Sequence, residues 1–242
     1  MNMEKRNSSF KTRSNLAKVE NIISYVFEDK ELLQKALIHR SYLNEKSRDD
    51  SLTNHNERLE FLGDAVLELI VSDYLYKQLD VDEGQMTKLR SSLVKGKINA
   101  EIGIKLGLDG EILLSKGELE DFGKARPSIV ADCVEAILGA MYLDGGLKSC
   151  LNFIQQNMLV LLPQIIDTKS YDDYKTILQE YCQKTKKITP KYKVISETGK
   201  DHNKIYICGV WIDNKLFSQG TGRTKQEAET EAAKIAYEQL SI

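Results

Sequence analysis

The sequence predicts two folded parts in series: an all-α domain, followed by a small α+β domain of order α-β-β-β-α. Three observations carry this expectation. Apolar residues recur at helical spacing through roughly the first 165 of the 242 residues. Beyond about Tyr171 the period shortens to strand alternation before a last helical stripe returns. Between them lies a short polar stretch, Asp167-Thr-Lys-Ser170, preceded by Pro163.

Residues 1–15 carry Lys5, Arg6, Lys11 and Arg13 with no apolar segment behind them, so they read as a flexible basic tail and not as a secretory signal. The helical domain is expected over 16–165. Its stripes are Leu32, Leu33, Ala36 and Leu37; then Leu59, Leu62, Val66, Leu69 and Ile70. Leu89, Leu93, Ile98 and Ile102 follow, then Ile129, Val134, Ile137 and Leu138. Helix stops are read at Gly84, at Gly107 and Gly110, and at Gly145-Gly146. A linker is placed at 166–170 and the second domain at 171–242. There, Thr176–Gln183 reads as a helix. Tyr192 and Val194, then Tyr206, Cys208, Val210 and Ile212, read as the core-facing sides of strands. Thr224–Leu240 reads as a helix with Ala228, Ala232, Ile235 and Ala236 inward. Trp211 falls on the opposite parity and is expected on the outer face of the sheet.

Composition narrows the class. With 41% hydrophobic residues each part can fill a core. An apolar run such as Met158–Leu162 is far too short to cross a bilayer, so no membrane association is expected. Cys133, Cys150, Cys182 and Cys208 form no C-x-x-C pair, and the three histidines complete no zinc spacing. Buried free thiols in a reducing cytoplasm are the expectation. The net charge of −2 is uneven. Residues 168–242 hold 13 basic against 10 acidic side chains, and the remainder 21 against 26, which suggests separate tasks for the two parts.

The carboxylates are the chemical signal. Glu57, Glu60 and Asp64 stand at i, i+3 and i+7, on one face of a helix. Asp132 and Glu135 stand at i, i+3 within the otherwise apolar segment Ile129–Leu138, where unpaired carboxylates are costly to bury. If the two helices pack together, four or five carboxylates meet. An all-oxygen set of that kind suits Mg²⁺ or Mn²⁺ and not zinc. The alternative is that these acids lie on a solvated face or pair with Arg58, Lys88 or Arg90.

The surrounding string bears on that choice. Asn56-Glu57-Arg58-Leu59-Glu60-Phe61-Leu62-Gly63-Asp64-Ala65-Val66-Leu67 resembles the signature of the ribonuclease III family. Asp82–Val94 resembles the next helix of that family, and Pro127–Ala140 its second acidic helix. The tail resembles a double-stranded-RNA-binding domain, so the resemblance covers about residues 20–240. It implies an endonuclease cutting double-stranded RNA, in the cytoplasm, with a role in ribosomal-precursor and messenger RNA processing. Glu60, Asp64, Asp132 and Glu135 would hold Mg²⁺, with Mn²⁺ as a substitute. Asp64 and Glu135 would be the catalytic pair among them. An activated water would leave 5′-phosphate and 3′-hydroxyl ends, and no small-molecule cofactor is implied. Glu57 and Glu83 match outer acidic positions. Gly63 would keep its helix thin at a close approach, and Ser128 would cap the second acidic helix. Phe61, which reads as core from its neighbours, matches a contact to the partner subunit of a homodimer.

For the tail, the resemblance implies that Thr176, Gln179 and Glu180 face one minor groove and His202 a second. Lys225 and Arg223 would meet phosphates between them. Three positions depart from the pattern: Tyr174 and Asp201 stand where prolines are usual, and Gln226 where a second lysine is usual. Asp201 and Gln226 lower the positive potential, which leads us to expect weaker duplex binding than in a typical member. Trp211 has no duplex role, because the bases of a duplex are already stacked. The competing reading is a double-stranded-RNA-binding protein of the same fold that does not cut; the intact set of four carboxylates weighs against it. A small-nucleotide phosphohydrolase leaves the tail unexplained.

Overall fold

The computed structural model describes residues 15–44, 55–119, 123–168, 174–199 and 204–240, which fall into two compact units, the first ending at Thr168. The first unit is helical: α1 Leu16–Ile23, α2 Lys30–Ala36, α3 Arg40–Asn44, α4 Glu57–Gln78, α5 Glu83–Leu93, α6 Gly96–Leu106, α7 Pro127–Asn157 and α8 Leu162–Thr168. Its centre is the pair α4 and α7, with α6 and α2 also packed against α7. The facing side chains are fully buried: Leu67 and Val71 on α4, and Val130, Val134, Ile137 and Leu138 on α7. Burial of this area drives the helices together at roughly 25 cal/mol per Å².

Local sequence explains most boundaries. Asn15, Asp29 and Asp82 cap α1, α2 and α5 by accepting hydrogen bonds from backbone N–H groups of the first turn. Gly107 ends α6 at φ 80°. Two expectations are corrected. Gly84 is not a stop but sits in the first turn of α5, because Asp82 starts the helix two residues earlier. Ser128 is not a cap: Pro127 takes the first helical position and Arg126 the cap position. Gly146 does break the helical path, at φ 71°, yet the helix resumes and runs on to Asn157. Helix α8 extends into the stretch expected to be linker.

In the second unit, α9 (Tyr174–Lys186) and α10 (Lys225–Leu240) cover one face of an antiparallel sheet of order β1-β2-β3, with strands Lys191–Thr198, Ile205–Ile212 and Lys215–Gly222. Leu178, Cys182, Val210, Ile212, Ala233 and Ala236 form the core. Asp213 and Asn214, at φ 53° and 59°, make the tight β2–β3 turn. Val194, expected inside, keeps the core-facing register opposite buried Cys208 but is 39% exposed, because β1 is an edge strand; the strand bulges just after it, between Val194 and Ser196. All four cysteines are free and buried, and burial pushes the Cys133 thiol up to about 12. No helix among the described residues is long and apolar enough to cross a membrane.

Candidate active site

Helices α4 and α7 meet at two glycines. A Cβ at Gly63 would overlap the backbone carbonyl oxygen of Glu135 and come within 2.6 Å of its carbon and 2.8 Å of Gly139 nitrogen. A Cβ at Gly139 would in turn overlap the carbonyl oxygen of Leu59 and lie 3.1 Å from Gly63 nitrogen. The two backbones therefore touch. Glu60 and Asp64 flank Gly63, and Glu135 stands one turn before Gly139, so the crossing itself gathers acids from both helices.

The electrostatics show that they share one field. Burial, then the charges of Asp132, Glu57 and Asp64, raise the Glu60 carboxyl above its ordinary range. Burial raises Asp132, with His39 opposing and Glu57 adding to the shift. Burial pushes Glu135 up to about 7; Asn99 opposes the shift, while Asp64, Glu60 and Asp132 add to it. Among the described residues no lysine or arginine forms an ion pair with these four, and Arg40 instead reaches Glu57 at 3.2 Å. Like charges held together without a counter-ion are a standing cost, offset when a cation joins them. No three side chains among the described His, Cys, Asp and Glu are drawn into a closed ligand cage. The helix crossing places the acids on adjacent turns of α4 and α7.

Several supporting residues escape a reading of the sequence. Asn99, fully buried on α6, donates from Nδ2 to Glu135 Oε1 at 2.8 Å. Its only sequence signal is a polar residue among the apolar positions of that helix. His39 reaches the site because Asn56 N–H donates to the Ile38 carbonyl at 2.9 Å, tying the start of α4 to the α2–α3 connection. His39 Nδ1 and Ser41 Oγ are 2.8 Å apart, and Ser41 Oγ also accepts from Ser115 N–H at 3.0 Å.

Two expected site residues lie elsewhere in the unit. Glu83, on the first turn of α5, accepts from the Thr87 hydroxyl at 3.0 Å and lines a cleft between α4 and α5 with Leu69, Tyr76 and Arg90. It is not among the main charges acting on Glu60, Asp132 or Glu135. Phe61 is 81% exposed, one member of an exposed α4 stripe with Leu69 and Tyr76.

In the second unit, Thr176, Gln179 and Glu180 stand exposed on α9, on the side away from buried Leu178 and Cys182. Arg223 and Lys225 are exposed at the start of α10. That start is capped by its own side chains: Glu227 N–H donates to Thr224 Oγ1 at 3.1 Å, and Arg223 N–H donates to Glu227 Oε2 at 2.9 Å. Lys175 and Glu229 join α9 to α10 at 2.7 Å. His202 and Asp201 lie outside the described residues.

A helical domain that gathers carboxylates where two helices cross, followed by a compact α-β-β-β-α unit, defines a class: nucleases with an appended RNA-binding module. Residues 29–162 match the Ribonuclease-III-like family model and residues 174–240 the double-stranded RNA binding motif. The chain belongs to the ribonuclease III family and is an endoribonuclease of double-stranded RNA. It is 42% identical over 225 residues to Ribonuclease 3 of Protochlamydia amoebophila, an alignment covering 93% of this chain and 91% of that one. It is 38% identical over 239 residues to Ribonuclease 3 of Borreliella burgdorferi, covering 97% and 96%. The nuclease domain of ribonuclease III from Campylobacter jejuni superposes with a TM-score of 0.53 at 41% identity, covering 60% of this chain and 96% of that domain.

Proposed function

We propose that Glu60, Asp64, Asp132 and Glu135 hold Mg²⁺, or Mn²⁺ in its place, and that phosphodiester cleavage occurs beside them. The observation that carries this reading is the Gly63–Gly139 crossing, which sets half-buried Glu60, Asp132 and Glu135 in one field with exposed Asp64, with no Lys or Arg ion pair among the described residues. Their oxygen-only chemistry fits a hard divalent cation. When bound, the cation activates a water and offsets charge on the phosphate and the departing 3′-oxygen, leaving 5′-phosphate and 3′-hydroxyl ends. Asn99 orients Glu135, and Arg40 holds Glu57 at the rim. Asp64 and Glu135 are assigned the catalytic role, and Glu57 and Glu83 outer roles.

The enzyme acts as a homodimer through the exposed α4 stripe of Phe61, Leu69 and Tyr76. Apolar exposure of that extent on one helix supports an interface. The Campylobacter jejuni nuclease domain has structural flexibility in a region involved in its dimer formation. Buried free thiols fit a cytoplasmic setting, and processing of ribosomal-precursor and messenger RNA is the assigned role. The deciding assay is cleavage of a perfect RNA duplex with and without Mg²⁺, beside duplex DNA. Cutting only of RNA and only with metal supports the assignment; metal-independent cutting overturns it.

Metal binding is coupled to protons. With its carboxyl raised to about 7, Glu135 favours the metal-free folded state when protonated, so that contribution is present in acid and lost as pH rises through about 7. Mg²⁺ takes the ionised form. It should therefore raise the melting temperature more at pH 8 than at pH 6, and scarcely at all in Glu135→Gln. Equal shifts at both pH values would remove Glu135 from the ligand set.

Duplex binding is assigned to Thr176, Gln179 and Glu180, to His202, and to Arg223 with Lys225. Lys225→Ala should lower affinity for duplexes of any sequence and reduce the log–log salt slope by about one. An unchanged slope would show that Lys225 meets no phosphate. With Asp201 and Gln226 at their positions, the wild-type slope should already be shallower than that of a fully basic relative.

A further inference from the structure

The outer face of the three-stranded sheet takes no part in duplex binding as assigned above. Residues 208, 210 and 212 of β2 point into the core. The alternate residues, Ile205, Ile207, Gly209 and Trp211, stand on the opposite face. There Trp211 pairs with Leu216 on β3 and Lys191 on β1, and Gly209 pairs with Lys193. A Cβ at Gly209 would lie 2.7 and 2.8 Å from Cζ3 and Cη2 of Trp211 and 2.6 Å from Leu216 Cδ1. The indole and the leucine thus lie across bare strand backbone in space that only glycine leaves. Lys193 Nζ stands 5.5 Å from the indole centroid. Leu216 and Ile205 are 44% and 47% exposed. By register, the other positions of this face are neutral, such as Ser196, Gln219 and Thr221, and none is acidic.

We propose that this face binds an unpaired RNA segment, one base stacking on Trp211 and the adjoining phosphates meeting Lys191 and Lys193. A flat, glycine-backed aromatic flanked by lysines, among strand positions without carboxylates, matches single-stranded nucleic acid: every base has a π-face and every linkage a negative charge. A duplex cannot use the platform, since its bases are stacked on one another. The substrates would then be duplexes with unpaired flanks or loops. The proposal rests on the RNA-directed reading of the enzyme, but its test is separate from cutting.

Trp211 is the only tryptophan in the chain, so emission excited at the red edge of the indole band, beyond tyrosine absorption, reports on this face. In metal-free buffer, a twelve-nucleotide oligouridine should quench that emission in the full-length protein. A blunt duplex of equal length, bound to saturation, should not. Lys193→Gln, an exposed change that leaves the fold intact, should weaken oligouridine binding on the order of tenfold while blunt-duplex cutting stays within about twofold. Trp211→Leu, followed by anisotropy of a labelled oligouridine, should weaken it at least as much. Absent quenching by oligouridine, or equal quenching by the blunt duplex, overturns the proposal. So does quenching that grows with protein concentration alone, which would make the occupant a second copy. Loss of duplex cutting in the wild type would overturn the enzyme assignment and leave the quenching result standing.

Discussion

Replacing Glu135 with alanine abolishes metal-dependent cutting of duplex RNA and leaves duplex binding within about twofold. Charge stabilisation by a bound cation contributes several kcal/mol, so the expected loss is about a thousandfold or more in single-turnover rate. Binding survives because the surfaces assigned to it, on α9 and α10, belong to the other unit. Glu135 is the sharpest choice among the four acids. It is the one pushed up to about 7, it is coupled to the other three, and its side chain is held by buried Asn99. Glu135→Gln provides the control for folding, since an amide can keep the Asn99 hydrogen bond while removing the charge. Both variants should be measured by gel-based cleavage and by duplex binding without metal. Full cutting by either would sink the metal assignment, whereas loss of binding would point to unfolding.

Gly63→Ala is expected to destabilise the helical unit by roughly 3 kcal/mol or more, lowering its melting temperature by about 10 °C. At an unobstructed helix position the same change stabilises by up to about 1 kcal/mol, so the sign alone is diagnostic. The added methyl would meet the backbone of Glu135 and Gly139, which cannot rotate aside as a side chain end could. The helices must part, and in parting they draw Glu60 and Asp64 away from Asp132 and Glu135. The variant should therefore also lose the Mg²⁺-induced rise in melting temperature. Gly84→Ala is the comparison: a Cβ there meets only Asp82 Oδ1, the oxygen that caps α5, at 3.1 Å, a contact relieved by a few tenths of an ångström, and the change should cost far less than at Gly63. Equal melting of Gly63→Ala and wild type by circular dichroism would refute the close crossing.

Local periodicity carries information only along one element, and that limit separates what was legible from what was not. The face shared by Glu57, Glu60 and Asp64 follows from helical spacing, and the alternation of Cys208, Val210 and Ile212 from the strand period. Both survive folding because each depends on residues a few positions apart. The boundaries shifted where a neighbour competed: Pro127 displaced Ser128 from the cap, and the edge position of β1 left Val194 partly open to solvent although it stands opposite buried Cys208. Phe61 reads as core by its apolar neighbours, yet α4 presents it to solvent at 81% exposure.

The sequence by itself determined the fold class, the order of the elements, the acidic residues and their family. Tertiary structure alone decided which of those acids share a field, since that depends on the contact of Gly63 with Gly139, 76 positions apart in the chain. It brought Asn99 and His39 to the carboxylates and left Glu83 in a separate cleft between α4 and α5. It also laid Trp211 across Gly209 on the open face of the sheet. The physical reason is common to all of these: coulombic coupling and close packing act through distances of a few ångströms, and those distances are set by how helices and strands cross, not by spacing along any one of them.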